Sequence, residues 1–323
     1  MKMLIRSVAL GAVAFAVLSA AAIAQDYPSR PVTLLVPQAP GASSDLLART
    51  LQAPLQTAWS QPIVIDNRPG AGSNLGAAAA ARSAPDGLTL LIGTDALMTS
   101  NAYLYKNMGF DPVKDLAPVT VLGNNIICLA VNAELPVKTV PEFIAYAKAN
   151  PGKLKYGTPG AASPHHLSGE LLHQKAGIDI VHVPYRGGGP AGNDLAGGHI
   201  NVAFLSLSTA VPLLATGKIR IVALVEKNRY AGMPDVPTIG ETVPGFEMSS
   251  WLGLFAPAGT PAPIIAKVNE TVRKILLDQP IKEKLAVLGL LVAPSTPAEL
   301  SKIVSDGLAV RGALIKAANI QPE

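Results

Sequence analysis

The chain carries a single cysteine, Cys128, so no internal disulfide can staple it, and aromatic residues make up only 5% of it. Cys128 lies in the apolar, strand-like run 126–131 and reads as a small buried apolar residue, so a thiol enzyme is not indicated. Its distance from the N-terminus excludes a lipid-anchored cysteine. No run of basic residues is interleaved with aromatics, and the net charge is only +4, of which Lys2 and Arg6 supply part. Nucleic acid is therefore not an expected partner. No G-x-S-x-G, S-x-x-K or Walker-type G-x-x-x-x-G-K-[ST] pattern occurs, which leaves a serine hydrolase or a phosphate-cradling loop of that type without support. Beyond residue 24 no apolar run approaches the ~20 residues needed to span a membrane.

The first 24 residues read as an export signal. Lys2 and Arg6 precede an apolar run from Val8 to Ala22, and Ala22-Ile23-Ala24 has the small-x-small form of a cleavage site. The mature chain is expected to start near Gln25, in the periplasm, with 299 residues. That length suits two lobes of ordinary domain size.

What the chain does have is a recurring strand, glycine loop and capped helix, the pattern of an α/β protein. The stretch Leu154 to Ser206 shows it best. Tyr156-Gly157-Thr158-Pro159-Gly160-Ala161-Ala162 leads to Ser163-Pro164, an N-cap followed by proline at the first helical position, and the helix should end at Gly177. Tyr185-Arg186-Gly187-Gly188-Gly189-Pro190 repeats the device, with glycine before a helix-starting proline. Earlier, the strand 31–37 is followed by Gln38-Ala39-Pro40-Gly41-Ala42 and the helix-start cluster Ser43, Ser44 and Asp45, for which capping and ligand contact are both open and compatible. Pro54 should kink or end that helix. Gly93-Thr94-Asp95 is a third loop at the carboxyl end of a strand, where open α/β sheets bind ligands. Thr139 with Glu142 and Thr296 with Glu299 are capping boxes. Ser208 and Thr260 are further expected caps, 219–225 and 246–255 are expected strands, and the closing helices show no chemistry. Helix N-termini offer unpaired N–H groups and a positive dipole end, so several aimed at one cleft suit a carboxylate.

Other constellations fit worse. Gly70-x-Gly72-x-x-x-Gly76 with Asp95 beyond it suggests a dinucleotide fingerprint, but Pro69 sits inside the turn, and closing that turn and packing the helix near the sheet is the simpler role. His166, Glu170 and His173 share a helix face without the H-E-x-x-H spacing, which leaves packing, capping or ligand hydrogen bonding for His165 and His166. No catalytic residue, metal or cofactor is expected.

Eight segments in order, VPQAPGASSDLLAR, IVIDNRPGAGSNLGA, PDGLTLLIGT, FDPVKDLAPV, YGTPGAASPHHLSGELL, VPYRGGGPAGNDLAGGHI, MPDVPTIGE and PGFEMSSWLGLFAPAGTP, span nearly the whole mature chain. They resemble the Bug-type extracytoplasmic solute receptors, the binding components associated with tripartite tricarboxylate transporters. The resemblance implies a two-lobed periplasmic binding protein of the Venus-flytrap kind, each lobe a mainly parallel sheet flanked by helices. It divides the chain into 25–124 as the first part of lobe 1, 125–224 as lobe 2, and 225–323 as the return to lobe 1 with C-terminal helices. The implied partners are a small carboxylate and membrane transporter subunits, the chain itself being a monomer; a ligand sensor that docks on a membrane partner is the alternative. Implied contacts in the first lobe are Gln38, Ala39, Gly41, Ser43, Ser44 and Asp45, with Ser73 and Thr94. In the second lobe they are Gly160, Ala162, Ser163, His166, Tyr185, Gly188 and Ser206. The family pattern has an aromatic where this chain has Gln38, and glycines where it has Ala42 and Ala162. The loss of a stacking surface and gain of an amide predict a more polar, less aromatic ligand.

Overall fold

The computed structural model describes residues 27–161, 163–185, 187–248, 250–317 and 320–322; the expected leader, its cleavage site and Ala162 lie outside them. The short apolar runs bounded by proline and glycine become strands of two sheets, each covered by helices on both faces. Strands β1 (Val32–Val36), β2 (Ile63–Asn67) and β3 (Thr89–Thr94) are parallel, and β4 (Leu116–Asn125), β10 (Trp251–Pro257) and β11 (Leu290–Val292) complete the first sheet in the order β11-β4-β10-β3-β1-β2. One face is covered by α1 (Ser43–Trp59) and α9 (Ala262–Leu277) through Leu47, Leu51, Val268 and Val272. The other is covered by α2 (Asn74–Ala81) and α11 (Pro297–Ala317) through Ala77, Ala80, Leu300 and Val304. Short helices α3 (Asp95–Met98) and α4 (Asn101–Leu104) follow β3, and α10 (Gln279–Val287) precedes β11.

The second sheet has the order β7-β6-β8-β5-β9, built from β5 (Ile127–Asn132), β6 (Leu154–Thr158), β7 (Ile180–Pro184), β8 (Val202–Ser206) and β9 (Ile219–Leu224). Helices α5 (Val140–Ala149) and α6 (Pro164–Ala176) bury Phe143, Ala147, Leu167 and Leu172 on one face. On the other, α7 (Gly188–Ala196) and α8 (Leu207–Leu214) bury Ala191, Leu195, Leu207 and Ala210. Each fully buried Leu, Ile or Phe contributes about 1.5–3 kcal/mol of transfer free energy. After β9, Val225, Ile239, Val243, Phe246 and Met248 still pack into this second core, and the chain rejoins the first sheet at β10. The last helix touches both, since Leu300 and Val304 belong to the first core and Ile315 to the second.

Strand directions decide which edges meet. β10 is antiparallel to both β3 and β4, so the carboxyl ends of β3 and β4 lie on the same edge of the first sheet. β5 is antiparallel to β8, with Ile127 opposite Ser206, so the start of β5 lies at the carboxyl edge of the second sheet. Only Ile126 separates β4 from β5. The chain therefore leaves one carboxyl edge and enters the other, and the loops following β1, β2 and β3 confront those following β6, β7 and β8.

Several local expectations need correction. α1 does not end at Pro54 but runs on to Trp59, because Leu51, Leu55 and Trp59 are buried along its length and their packing outweighs the lost N–H. Thr260 does not cap α9; its hydroxyl donates to Pro257 O and Pro261 takes the cap position. Ser206 rather than Ser208 precedes α8, and α7 begins at Gly188, two residues before Pro190. The strand expected over 246–255 is β10, from Trp251 to Pro257. The Thr296 box forms, with Thr296 and Glu299 exchanging bonds of 3.2 and 2.7 Å; at α5 only half of the expected box does, since Thr139 accepts from Glu142 N at 3.3 Å while the Glu142 carboxylate accepts from Lys138 N at 2.6 Å.

Candidate ligand-binding site

On the first edge, β1 delivers Gln38 to Ala42 to the start of α1. Ala42 is the N-cap and has no side chain to cap with, so Ser43, Ser44 and Asp45 are the first three helical residues and not the cap. Asp45, 1% exposed, turns back instead: it accepts from Gly41 N at 2.8 Å, Arg49 Nε at 2.9 Å and Asn67 Nδ2 at 3.1 Å. Burial opposes ionisation, but the bonds from Arg49, Gly41 and Asn67 outweigh it and hold the carboxyl below its ordinary range. Asp45 thus fixes the loop. Asn67, at the end of β2, also donates to Gln38 O at 3.0 Å, and Ser44 Oγ donates to Gln38 Oε1 at 2.5 Å. The Gln38 side chain is held by its oxygen, leaving the amide N–H groups as donors. Ala39 and Gly41 are exposed, and Ser43 is half-buried. Asn67 was not anticipated; its only sequence signal is a polar pair closing an otherwise apolar strand.

The loop after β2 turns tightly through Gly70 and Gly72 to Ser73, which sits in the left-handed region at φ 80° just before α2. Asn101 Nδ2 pins it, donating to Gly72 O at 2.9 Å and Asn74 Oδ1 at 2.8 Å. A Cβ on Gly76 would stand 2.7 Å from Arg68 O and 2.9 Å from Pro37, so this glycine lets α2 lie against both loops. Thr94 caps α3, accepting from Leu97 N at 3.3 Å. Behind it Asp95 forms a buried ion pair with Arg311 at 2.6 Å.

On the second edge, Ser163 caps α6 as expected: its oxygen accepts from His166 N at 3.3 Å while its hydroxyl donates to Gly160 O at 2.8 Å. Thr158 donates to the same Gly160 oxygen at 3.1 Å, so the His182 Nε2 lying 2.7 Å from Thr158 Oγ1 is the donor of that pair. His166 is turned inward, stacked on His182 with ring centroids 3.7 Å apart and with Glu170 at 3.6 Å. Its neighbour His165 instead reaches Ser206 Oγ at 3.1 Å. Tyr185 donates its hydroxyl to Asp194 at 2.7 Å, and burial followed by that carboxylate pushes the phenol up to about 12. A Cβ on Gly188 would meet Thr209 Oγ1 at 2.8 Å, so this glycine allows α7 and α8 to approach. Ser206 closes β8 and accepts from Asn125 Nδ2 at 2.8 Å, joining the two edges.

The candidates thus divide between groups that fix loops, namely Ser44, Asp45, Tyr185 and His166, and groups at the confronting edges, namely Gln38, Ala39, Gly41, Ser43, Ser73, Thr94, Gly160, Ser163, Gly188 and Ser206. Surface depressions of about 530 and 570 Å³ lie elsewhere, lined by Tyr105, Phe110 and Leu308 and by Pro118, Ile265 and Pro297. Facing helix N-termini can hold an anion through backbone N–H groups without any charged side chain.

Comparison with known proteins identifies the family and the fold. A family model described as the tripartite tricarboxylate transporter family receptor matches residues 47–320. Protein BugT of Bordetella pertussis is 33% identical over 296 residues, covering 91% of each chain. The solved structure of R. palustris Rpa4515 with adipate superposes with a TM-score of 0.88 at 36% identity, over 92% of this chain and 100% of that one. MatC of Rhodopseudomonas palustris, with bound malate, gives a TM-score of 0.80 at 33% identity, over 90% of this chain and 100% of that one. Family members are periplasmic solute-binding receptors and not enzymes. The chain belongs to the tripartite tricarboxylate transporter receptor family, the Bug-type solute-binding proteins.

Proposed function

We propose that this chain, exported with its first 24 residues removed, works as a monomer that captures a small carboxylate between its two lobes and delivers it to a tripartite tricarboxylate-type membrane transporter. The observation that carries the reading is the confrontation of α1, α2 and α3 N-termini with those of α6, α7 and α8 across one crossover. The adipate and malate in two related structures support an acid of similar size. The carboxylate is held by backbone N–H groups, among them those at the α6 N-terminus that Ser163 caps, by the hydroxyls of Ser43 and Ser73, and by bridging water, with Gln38 favouring a polar chain over a flat aromatic one. A ligand that touches both edges only when they approach stabilises the closed form by that difference in affinity. Closure then presents a surface to the membrane partner.

The test is a thermal-shift and calorimetric screen of mono- and dicarboxylates, amino acids and aromatic acids on the purified protein. Stabilisation by an aliphatic acid is expected. A cooperative fold that no carboxylate stabilises overturns the reading. Delivery is tested by recovering transporter subunits on the immobilised protein with and without that acid.

A further inference from the structure

At the crossover between the sheets stand three polar side chains that are almost entirely enclosed. Asn125 ends β4, Ser206 ends β8 and His165 is in the first turn of α6; their exposures are 4%, 7% and 6%. Asn125 Nδ2 donates to Ser206 Oγ at 2.8 Å, and His165 Nε2 lies 3.1 Å from the same oxygen. Among the described residues His165 Nε2 is the one acceptor within reach of the Ser206 hydroxyl proton, so the proton goes there, which makes Nδ1 the protonated ring nitrogen. Burial pushes the imidazole down to about 3, so it is neutral. Two atoms then have no hydrogen-bond partner: Asn125 Oδ1, an acceptor, and His165 Nδ1–H, a donor. Enclosed groups of this kind carry a desolvation cost of about 1–3 kcal/mol each until something bonds them.

We propose that Asn125, Ser206 and His165 form a hydroxyl-reading subsite at the floor of the cleft, so that the acid this chain takes carries an alcohol group. The inference rests on the carboxylate-binding reading above and names the class of acid. The demand is for one donor and one acceptor. An alcohol supplies both, whereas a second carboxylate only accepts. A methylene in its place leaves both protein atoms unpaired. Because the two atoms are screened from solvent, the alcohol reaches them only as the lobes part and is sealed in when they close.

The experiment is isothermal titration at pH 8 of the purified protein with matched pairs: succinate and malate, glutarate and 2-hydroxyglutarate, propionate and lactate. The hydroxylated member of at least one pair should bind about tenfold tighter or more, as expected for a site built around an alcohol. In His165→Gln, whose amide keeps a polar atom near the Nε2 position and removes the Nδ1 donor, the ratio should fall to about 1–2 with the loss of that bond. Ser206→Ala, which breaks the link between the other two, is the second variant and should lower the ratio as well. Acids that bind without preference for the hydroxyl would mean that only water bridges the orphan atoms, and would remove the subsite while leaving the receptor reading intact. A preference that survives in His165→Gln overturns the assignment too. Binding of no carboxylate at all removes both readings.

Discussion

Replacing Arg311 by methionine should be the most damaging single change in the last helix, for a reason that can be worked through. The guanidinium and the Asp95 carboxylate meet at 2.6 Å, with side chains only 6% and 2% exposed. Asp95 Oδ1 also accepts from Thr99 Oγ1 at 2.8 Å, and Arg311 Nη1 lies against Met248 Sδ. Methionine preserves most of the length and packing, so the loss is essentially electrostatic: an ionised carboxylate is left enclosed with one hydroxyl donor. Removing one partner of such a pair costs about 3–5 kcal/mol. That is a large part of the ~5–15 kcal/mol that holds an ordinary domain together. Adding Asp95→Asn removes the stranded charge and should recover about half of the loss, since a buried pair replaced on both sides is often nearly neutral. Urea unfolding followed by Trp59 and Trp251 fluorescence measures both variants. Repetition at 1 M salt should change little, because an enclosed pair is weakly screened. A loss under about 1 kcal/mol for Arg311→Met, or a double variant as unstable as the sum of the singles, would refute the reasoning.

Two further changes are informative. Asp45→Asn should weaken carboxylate binding and also cost about 1–3 kcal/mol of stability, since an amide cannot accept all three donors now facing the carboxylate. Because the folded carboxyl is held below the ordinary 3.8, its contribution is complete above that pH and fades as pH drops through the lowered value, so the two proteins should converge in acid. Glu226 accepts from Ile127 N at 2.8 Å through one oxygen while the other is enclosed without a partner, and burial pushes its carboxyl up to about 7. A raised folded value means the fold prefers the protonated acid, with stability lost as pH rises from 4.5 through about 7. Glu226→Gln should therefore gain about 1–3 kcal/mol on the parent between pH 5 and pH 8. A constant gap in urea midpoints at the two pH values would count against it.

The parts of this molecule that sequence discloses are those made by neighbours. Ser163, Pro164 and Gly177 bracket α6 as read, and the Thr139 cap and the Thr296 box close over three residues, because capping is decided within one turn. The cluster Ser43-Ser44-Asp45 shows the limit. Any of the three can cap, and the choice of Ala42 instead follows from Asp45 being tied to Asn67, 22 residues away. Asn125 meets Ser206 across 81 residues and Arg311 meets Asp95 across 216, distances over which no local pattern operates. The helix through Pro54 fails locally for the same reason, since burial of the flanking residues outvotes the proline. Of the candidate site, the loops were legible and the roles within them were not. Which serine or histidine faces a neighbour depends on the crossover that sets the edges opposite each other.

The position of β10 between β3 and β4 has a consequence for how the molecule comes into being. The second sheet draws all its strands from one uninterrupted stretch, Ile127 to Leu224, and can be completed as soon as that stretch is free to collapse. The first sheet cannot, because β3 and β4 remain open edges until Trp251–Pro257 arrives from the far end of the chain. Long-range pairing of this kind is slow and leaves strand edges exposed while it waits. In a chain that emerges N-terminus first, the second sheet is thus complete early and the first is assembled last. A fragment that stops short of β10 holds the residues of the first-lobe loops without the sheet that aims them.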